Sequence, residues 1–399
     1  MTPESEGHER DGGHGGTLPT LDELTADARR ILDAAWRDDE AGGFCVPNPT
    51  TYPWQWLWDS CFHAVVWAHL GDERAHRELR SVLSAQDDDG FVPHLRYGRA
   101  SSPHTSLWGR TGASSITQPP MYGHAAAALA RVGLEPDAEV LEQAARGLRF
   151  LLERRRRTTG GLVQLCHPWE SGCDDSPRWD DVIPGARTPA AWFEMKGSLV
   201  GSIERSAGGA PLHNPRFAIG SAGFSALVAW NALELAGVID DDDLRRRARE
   251  LAEAVDARWD ADLVTWVDDG PTSDGSGRIR TLDALLPLLV CPRAEAVSAL
   301  ADPAAFGAAC GPRGVHVAEP THEATTYWRG PAWPQLTYLL WLATSSVYAR
   351  TAAASLSRSM RSGVSASGFA EYWVADTGRA LGAAPQTWST LAVVLADDG

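Results

Sequence analysis

The 399-residue chain carries 36 basic and 52 acidic side chains, a formal net charge of −16. So large an acid excess argues against nucleic acids and anionic membrane surfaces as partners, since both are gripped through surplus lysine and arginine; a neutral or small substrate fits better. Hydrophobic residues at 44% are ample for a core, and the length accommodates two average domains or one large toroid.

In chain order, residues 1–16 are rich in Gly, Glu and His and lack the basic start and apolar run of a signal peptide; a disordered tail is expected there, with a single folded domain over 17–399. Thr20 to Arg37 reads as an amphipathic helix, with Leu21, Leu24, Ala28, Ile31 and Leu32 recurring at three- and four-residue steps. Asp59 to Leu70 is apolar on most faces, which marks an interior helix, and Glu73 to Gln86 is a charged one. The alternation continues with an Ala-rich helix from Pro119 to Val132 and a charged helix from Asp137 to Arg157. Further on come Phe217 to Ala236 (apolar), Asp240 to Arg258 (charged), Thr281 to Val290, a weaker segment near Arg293 to Ala309, Gly330 to Ala343, Val347 to Arg361 and Gln386 to Leu395. Strand signals are short, at Gly161 to Leu165 and Leu263 to Val267. Twelve helices alternately polar-faced and apolar are most simply packed as six outer around six inner ones, an all-α (α/α)6 toroid, because each amphipathic helix needs an apolar partner on one side only. No apolar run approaches the length of a membrane span. The six cysteines are scattered without a CxxC pair and read as reduced thiols of a cytoplasmic protein.

In such a ring the loops entering the inner helices share one mouth, and the aromatic and polar clusters fall in those loops. Tyr52-Pro-Trp-Gln-Trp56-Leu-Trp-Asp59 precedes the first inner helix and Gln118 the second. The stretch His167 to Asp180 packs Glu170, Asp174, Asp175, Asp180, Arg178, Trp169 and Trp179 between prolines and a glycine, so it is a loop carrying acid chemistry. Tyr327-Trp328-Arg329-Gly-Pro-Ala-Trp333 precedes the fifth inner helix, and Glu371-Tyr-Trp with Gln386-Thr-Trp388 the sixth. Indole faces beside carboxylates suit a sugar, which offers an apolar C–H face and a rim of hydroxyls. Each of the 17 tryptophans taken alone is better explained by core packing; the group points to a pocket. Asp59 is explained equally well as a helix N-cap.

Glycoside hydrolysis without a covalent intermediate needs one protonated carboxyl for the leaving oxygen and one carboxylate to activate water, about 6.5–9.5 Å apart. The acidic loop enters inner helix three and Glu371 inner helix six, half a turn apart, so carboxylates projected from the two loops can face each other across the mouth. Tyr52, Trp56, Asp59, Gln118, Trp169, Trp328, Trp333 and Gln386 are the candidate sugar contacts. Arg178 and Arg216 are candidates for an acidic aglycone, with pairing of Arg178 to Asp180 or Glu170 an equal alternative.

These segments resemble the signatures of glycoside hydrolase family 63: Trp-Glu-Ser-Gly-Cys-Asp174-Asp-Ser-Pro-Arg-Trp-Asp, Gln-Trp-Leu-Trp-Asp59-Ser, Tyr-Trp-Arg-Gly-Pro-Ala-Trp and Glu371-Tyr-Trp. The likeness is to its short bacterial glucosylglycerate and mannosylglycerate hydrolases, and more distantly to trehalases, over about Tyr52 to Trp388. The resemblance implies an (α/α)6 fold, inversion of configuration, Asp174 as general acid and Glu371 as general base; in those roles Asp174 is expected to have a raised pKa from desolvation and from Asp175, and Glu371 to stay ionised. A departure falls between Asp181 and Ser225, where the Tyr-Arg segment and an acidic start to the third inner helix are absent and the chain reads Phe217-Ala-Ile-Gly-Ser. The sugar side is thus kept and the aglycone side altered. Two rivals stand beside the hydrolase: an epimerase or isomerase on the same toroid, which would need paired histidines not evident here, and a non-catalytic sugar-binding homologue. No metal or other cofactor is expected, since no zinc, calcium or phosphate-loop pattern occurs. Small carbohydrate is the expected partner, and the oligomeric state is left open.

Overall fold

The computed structural model describes residues 18–98, 102–183, 189–270, 278–346 and 349–396; the tail expected over 1–16 lies outside the described residues. The described chain is mostly helical. Its helices are α1 (Leu21–Ala35), α2 (Leu57–His69), α3 (Arg74–Leu83), α4 (Ser102–Trp108), α5 (Tyr122–Arg131), α6 (Ala138–Arg149), α7 (Pro189–Gly201), α8 (Ala222–Ile239), α9 (Asp242–Asp256), α10 (Ala294–Ala301), α11 (Pro334–Ser346), α12 (Arg350–Ser367) and α13 (Ala392–Ala396). Two 3-10 stretches, Leu282–Leu289 and Thr387–Leu391, take the places of α-helices where the sequence pattern called for them.

Local chemistry sets the boundaries. Thr20 and Glu23 form a reciprocal capping box at the start of α1; Ser221 and Asp241 cap α8 and α9 through their side-chain oxygens. Pro287 denies the Leu282–Leu289 segment an α-helical hydrogen bond, which accounts for its 3-10 form. The helix expected to reach Arg157 instead ends as α6, followed by one π turn, Phe150–Arg154, that turns Arg155 into the interior. The weak segment near Arg293 shrinks to the eight residues of α10.

Packing follows burial. Every residue from Leu57 to Ala68 of α2 is buried, whereas α1, α3 and α9 bury one stripe each. α2 packs on α5, α5 on α8, α8 on Leu282–Leu289, that segment on α11, α11 on Thr387–Leu391, and Thr387–Leu391 back on α2. Each also packs on an amphipathic neighbour: α3 on α2, α6 on α5, α9 on α8, α10 on Leu282–Leu289, α12 on α11 and α1 on Thr387–Leu391. The 18-residue α8 is long and apolar enough to cross a membrane, contrary to the reading of the sequence, but 72% of it is buried inside the molecule, as befits a core helix.

Short antiparallel pairings stiffen the entry loops. Gln55–Trp56, just before α2, pairs with Leu95–Gly98, which pairs with Gly112–Ala113; Gln164–Leu165 pairs with Ile219–Gly220, just before α8; Tyr372–Trp373 pairs with Ala380–Leu381.

Candidate active site

The entry loops converge on a cleft of about 80 Å³. The stretch ahead of and opening α2 contributes Tyr52, Trp56, Trp58 and Asp59; the stretch ahead of α5 contributes Gln118. Gly172 and Asp174 come from the acidic loop, Tyr327 and Trp328 from the loop before α11, and Glu371, Gln386 and Trp388 from the segments leading into the last inner element.

Asp174 sits between two short 3-10 turns, Pro168–Ser171 and Pro177–Trp179, each opened by proline. Gly172 ends the first turn at φ 75°, and a Cβ there would lie 2.5 Å from the Trp58 ring, so the close approach of loop and α2 needs glycine. The turns are anchored by Glu170, fully buried, which accepts from Arg155 Nη1 at 2.6 Å and Nη2 at 3.0 Å, from the Cys166 amide at 2.6 Å and from the Thr117 amide at 3.2 Å. Burial pushes the Asp174 carboxyl up to about 7; Lys196 and a hydrogen bond donated by the Tyr327 hydroxyl at 3.3 Å pull it down, and Asp175 and Glu371 push it further up.

Glu371 has a different setting. Tyr52 donates its hydroxyl to both carboxylate oxygens, at 3.1 and 3.2 Å, and the Ala383 amide donates to Oε2 at 3.0 Å. Burial raises its pKa, and these two donors oppose the rise by stabilising the ionised form. Gly382, at φ 69°, brings that amide close: a Cβ would fall 2.4 Å from Glu371 Oε2. Trp328 and Phe369 hold φ near 60°, a conformation bulky residues avoid, and both flank this chemistry.

Four buried polar atoms in the cleft have no hydrogen-bond partner among the described residues: Trp56 Nε1, Asp59 Oδ1, Trp328 Nε1 and Gln386 Oε1. Leaving such groups unmet costs about 1–3 kcal/mol each, so they are disposed toward a hydroxyl-rich ligand. Asp59 is the third residue of α2, whose N-cap position belongs to Trp56, and the capping explanation for Asp59 therefore lapses. Burial raises its carboxyl well above the usual range.

Eight of the twelve residues singled out from sequence line the cleft: Tyr52, Trp56, Asp59, Gln118, Asp174, Trp328, Glu371 and Gln386. Four stand apart from it. Trp333 is fully buried behind Trp328, its ring stacked at 3.6 Å, and backs the wall rather than forming it. Trp169 packs on His167, Trp108 and Lys196. Arg178 is buried and paired with Asp268 and Asp283, not with Asp180 or Glu170, so it is committed to the core. Arg216 is exposed and donates to Ser198. Conversely Trp58, Tyr327 and Trp388 belong to the cleft though sequence reasoning did not select them; each lay in a motif already marked, and tryptophans packed at every second position gave no way to choose.

Away from the cleft, the ligand atoms of Cys45, His63 and Glu78 lie within 4.8 Å of one another and could hold a metal ion. They also satisfy one another without one: Glu78 accepts from the Cys45 amide and faces His63 Nδ1, and His63 Nε2 meets Thr387 Oγ1 at 2.6 Å.

Known proteins resemble this chain in family and in overall fold. The family model described as the mannosylglycerate hydrolase MGH1-like glycoside hydrolase domain matches residues 52–389. Mannosylglycerate hydrolase MGH1 of Selaginella moellendorffii is 34% identical over 187 residues, 43% of this chain but only 37% of that protein. Glucosylglycerate hydrolase of Mycolicibacterium hassiacum is 27% identical over 462 residues, 94% of this chain and 98% of the relative. The crystal structure of the GH63 mannosylglycerate hydrolase from Thermus thermophilus in complex with Tris and D-glycerate superposes with a TM-score of 0.78 at 25% identity, covering 93% of this chain and 99% of that one.

Proposed function

The chain belongs to the mannosylglycerate hydrolase MGH1-like glycoside hydrolase family, and from that premise we propose that it hydrolyses a small α-glycoside by general acid and general base catalysis, with inversion at the anomeric carbon. The observation that carries this reading is one cleft holding Asp174 and Glu371 together with unpartnered polar atoms for sugar hydroxyls. Asp174, with its carboxyl near neutrality, gives its proton to the glycosidic oxygen as the C–O bond breaks. Glu371, kept toward its ionised form by Tyr52 and the Ala383 amide, takes a proton from the water that attacks the opposite face. Solvent then restores Asp174 to its acid form and removes the proton from Glu371. Trp56, Trp58, Trp328 and Trp388 supply ring faces for the sugar, and Asp59, Gln118 and Gln386 its hydroxyl partners.

The ring of helix contacts and the family likeness support an (α/α)6 toroid as the architecture, formed by one domain over 17–399. Six free, buried thiols are consistent with a cytoplasmic setting. The aglycone is proposed to be small, glycerate-like or a sugar, by analogy with the relatives' names. The test is a screen of purified protein against glucosylglycerate, mannosylglycerate, trehalose and α-linked gluco-oligosaccharides, followed by Asp174→Asn and Glu371→Gln on the best substrate. Each variant should lose at least about a thousandfold in rate while keeping its melting temperature. Near wild-type turnover in either removes that residue from the mechanism.

A further inference from the structure

Lys196 is the only lysine in the chain. It lies on α7 with its side chain 7% exposed, where an ammonium is costly unless paired. Its Nζ reaches Asp175 Oδ1 at 2.7 Å and stands 5.1 Å from the centre of the Trp169 ring. Its backbone carbonyl accepts from His167 Nε2 at 3.0 Å, while His167 Nδ1 accepts from the Trp169 amide at 3.2 Å. Burial holds that imidazole neutral, with its pKa lowered to about 3, so one tautomer serves both bonds. Through this one residue α7 therefore grips the acidic loop on both sides of Asp174, at 167 and at 175.

We propose that Lys196 is the positioning residue of the general acid: its ammonium fixes the Asp175 carboxylate beside Asp174 and opposes the carboxylates gathered there. The proposal rests on the reading of Asp174 as the proton donor. The groups facing Asp174 are Asp175 on its own loop, Lys196 on α7, Tyr327 before α11, Glu371 before Thr387–Leu391, Tyr52 ahead of α2 and Asp59 in its first turn. Arg329, bonded to Asp180, adds a cation near Asp175. Lys196 is thus the charge set against Asp175 and Glu371 at the acid itself. Without it two neighbouring carboxyls contend, Asp174 holds its proton to higher pH, and a more tightly held proton is donated less readily.

The experiment compares pH profiles of kcat/KM for the full chain and its variants on two substrates: the glycoside identified by the screen and the corresponding α-glycosyl fluoride, whose leaving group needs no proton. Lys196→Met should move the alkaline limb up by about half to one pH unit, the low end of what a neighbouring charge does to a carboxyl. At neutral pH it should slow the glycoside about tenfold and the fluoride less than about twofold. Asp175→Asn should move the limb down, the double variant Asp175→Asn with Lys196→Met should return it toward wild type, and Lys196→Arg should leave it in place. An unmoved limb in Lys196→Met with equal losses on both substrates would overturn the proposal, leaving Lys196 a packing residue. If Lys196→Met does not fold, an unmoved limb in Asp175→Asn overturns it instead. Asp174→Asn separates the two levels: undiminished glycoside turnover there sinks the underlying reading itself, whatever Lys196 does, whereas a loss confined to the glycoside upholds it.

Discussion

At the scale of single residues, the proposed function turns on two carboxyls given unequal company. Asp174 has a folded-state pKa near 7 against an unfolded value near 4. Turnover that needs its protonated form should therefore fall as pH rises through about 7, and a pH profile of kcat/KM with a limb well below 6 would contradict that assignment. The same shift has a stability sign: the native state binds the proton more tightly, so folding loses stability as pH rises from about 4 to about 7. The residues of this site were legible where chemistry and local motif coincide, as at Asp59, Asp174 and Glu371. They were illegible where partners lie far along the chain. Arg178 looks like an anion receptor in sequence because its partners, Asp268 and Asp283, stand 90 and 105 residues away. Trp333 and Trp328 are near neighbours in sequence and equally aromatic, and only the stacking order decides which meets the cleft.

At the scale of elements, the acidic loop is held by a buried ion pair rather than by regular structure. Glu170 and Arg155 are both fully buried and bonded twice, and Arg155 reaches the loop because a π turn redirects the chain after α6. Removing one partner leaves the other charge uncompensated, so Glu170→Gln should destabilise the protein by about 3–5 kcal/mol in urea unfolding. Replacing both with methionine should cost less, and a loss below about 1 kcal/mol for Glu170→Gln would show that water relieves the pair. The alternation of stripe-buried and wholly buried helices was readable from hydrophobic period, since burial itself writes that pattern. Two helices escaped it. α4 and α7 pack on each other outside the ring, and α7 carries so even a spread of apolar and polar residues that no stripe marks it.

At the scale of the whole molecule, the circuit of contacts that runs from α2 through Thr387–Leu391 back to α2 accompanies a hydrogen bond between residues as distant as Tyr52 and Glu371, 319 positions apart. A larger hollow of about 280 Å³ between α10 and α12 offers Arg313 already committed to Asp376 and no opposed carboxyls, so size alone does not choose the candidate site. The wholly buried elements pack on one another in chain order, the order that the numbering of inner helices in the sequence assumes, because consecutive units usually lie side by side. The central claim is that two carboxyls on opposite walls cleave the glycosidic bond in one displacement by water. Proton NMR of the sugar in the first minutes after mixing tests it most directly. An α-glycoside should release the β-anomer first, followed by slow mutarotation; initial release of the α-anomer would mean a covalent intermediate and would contradict the account.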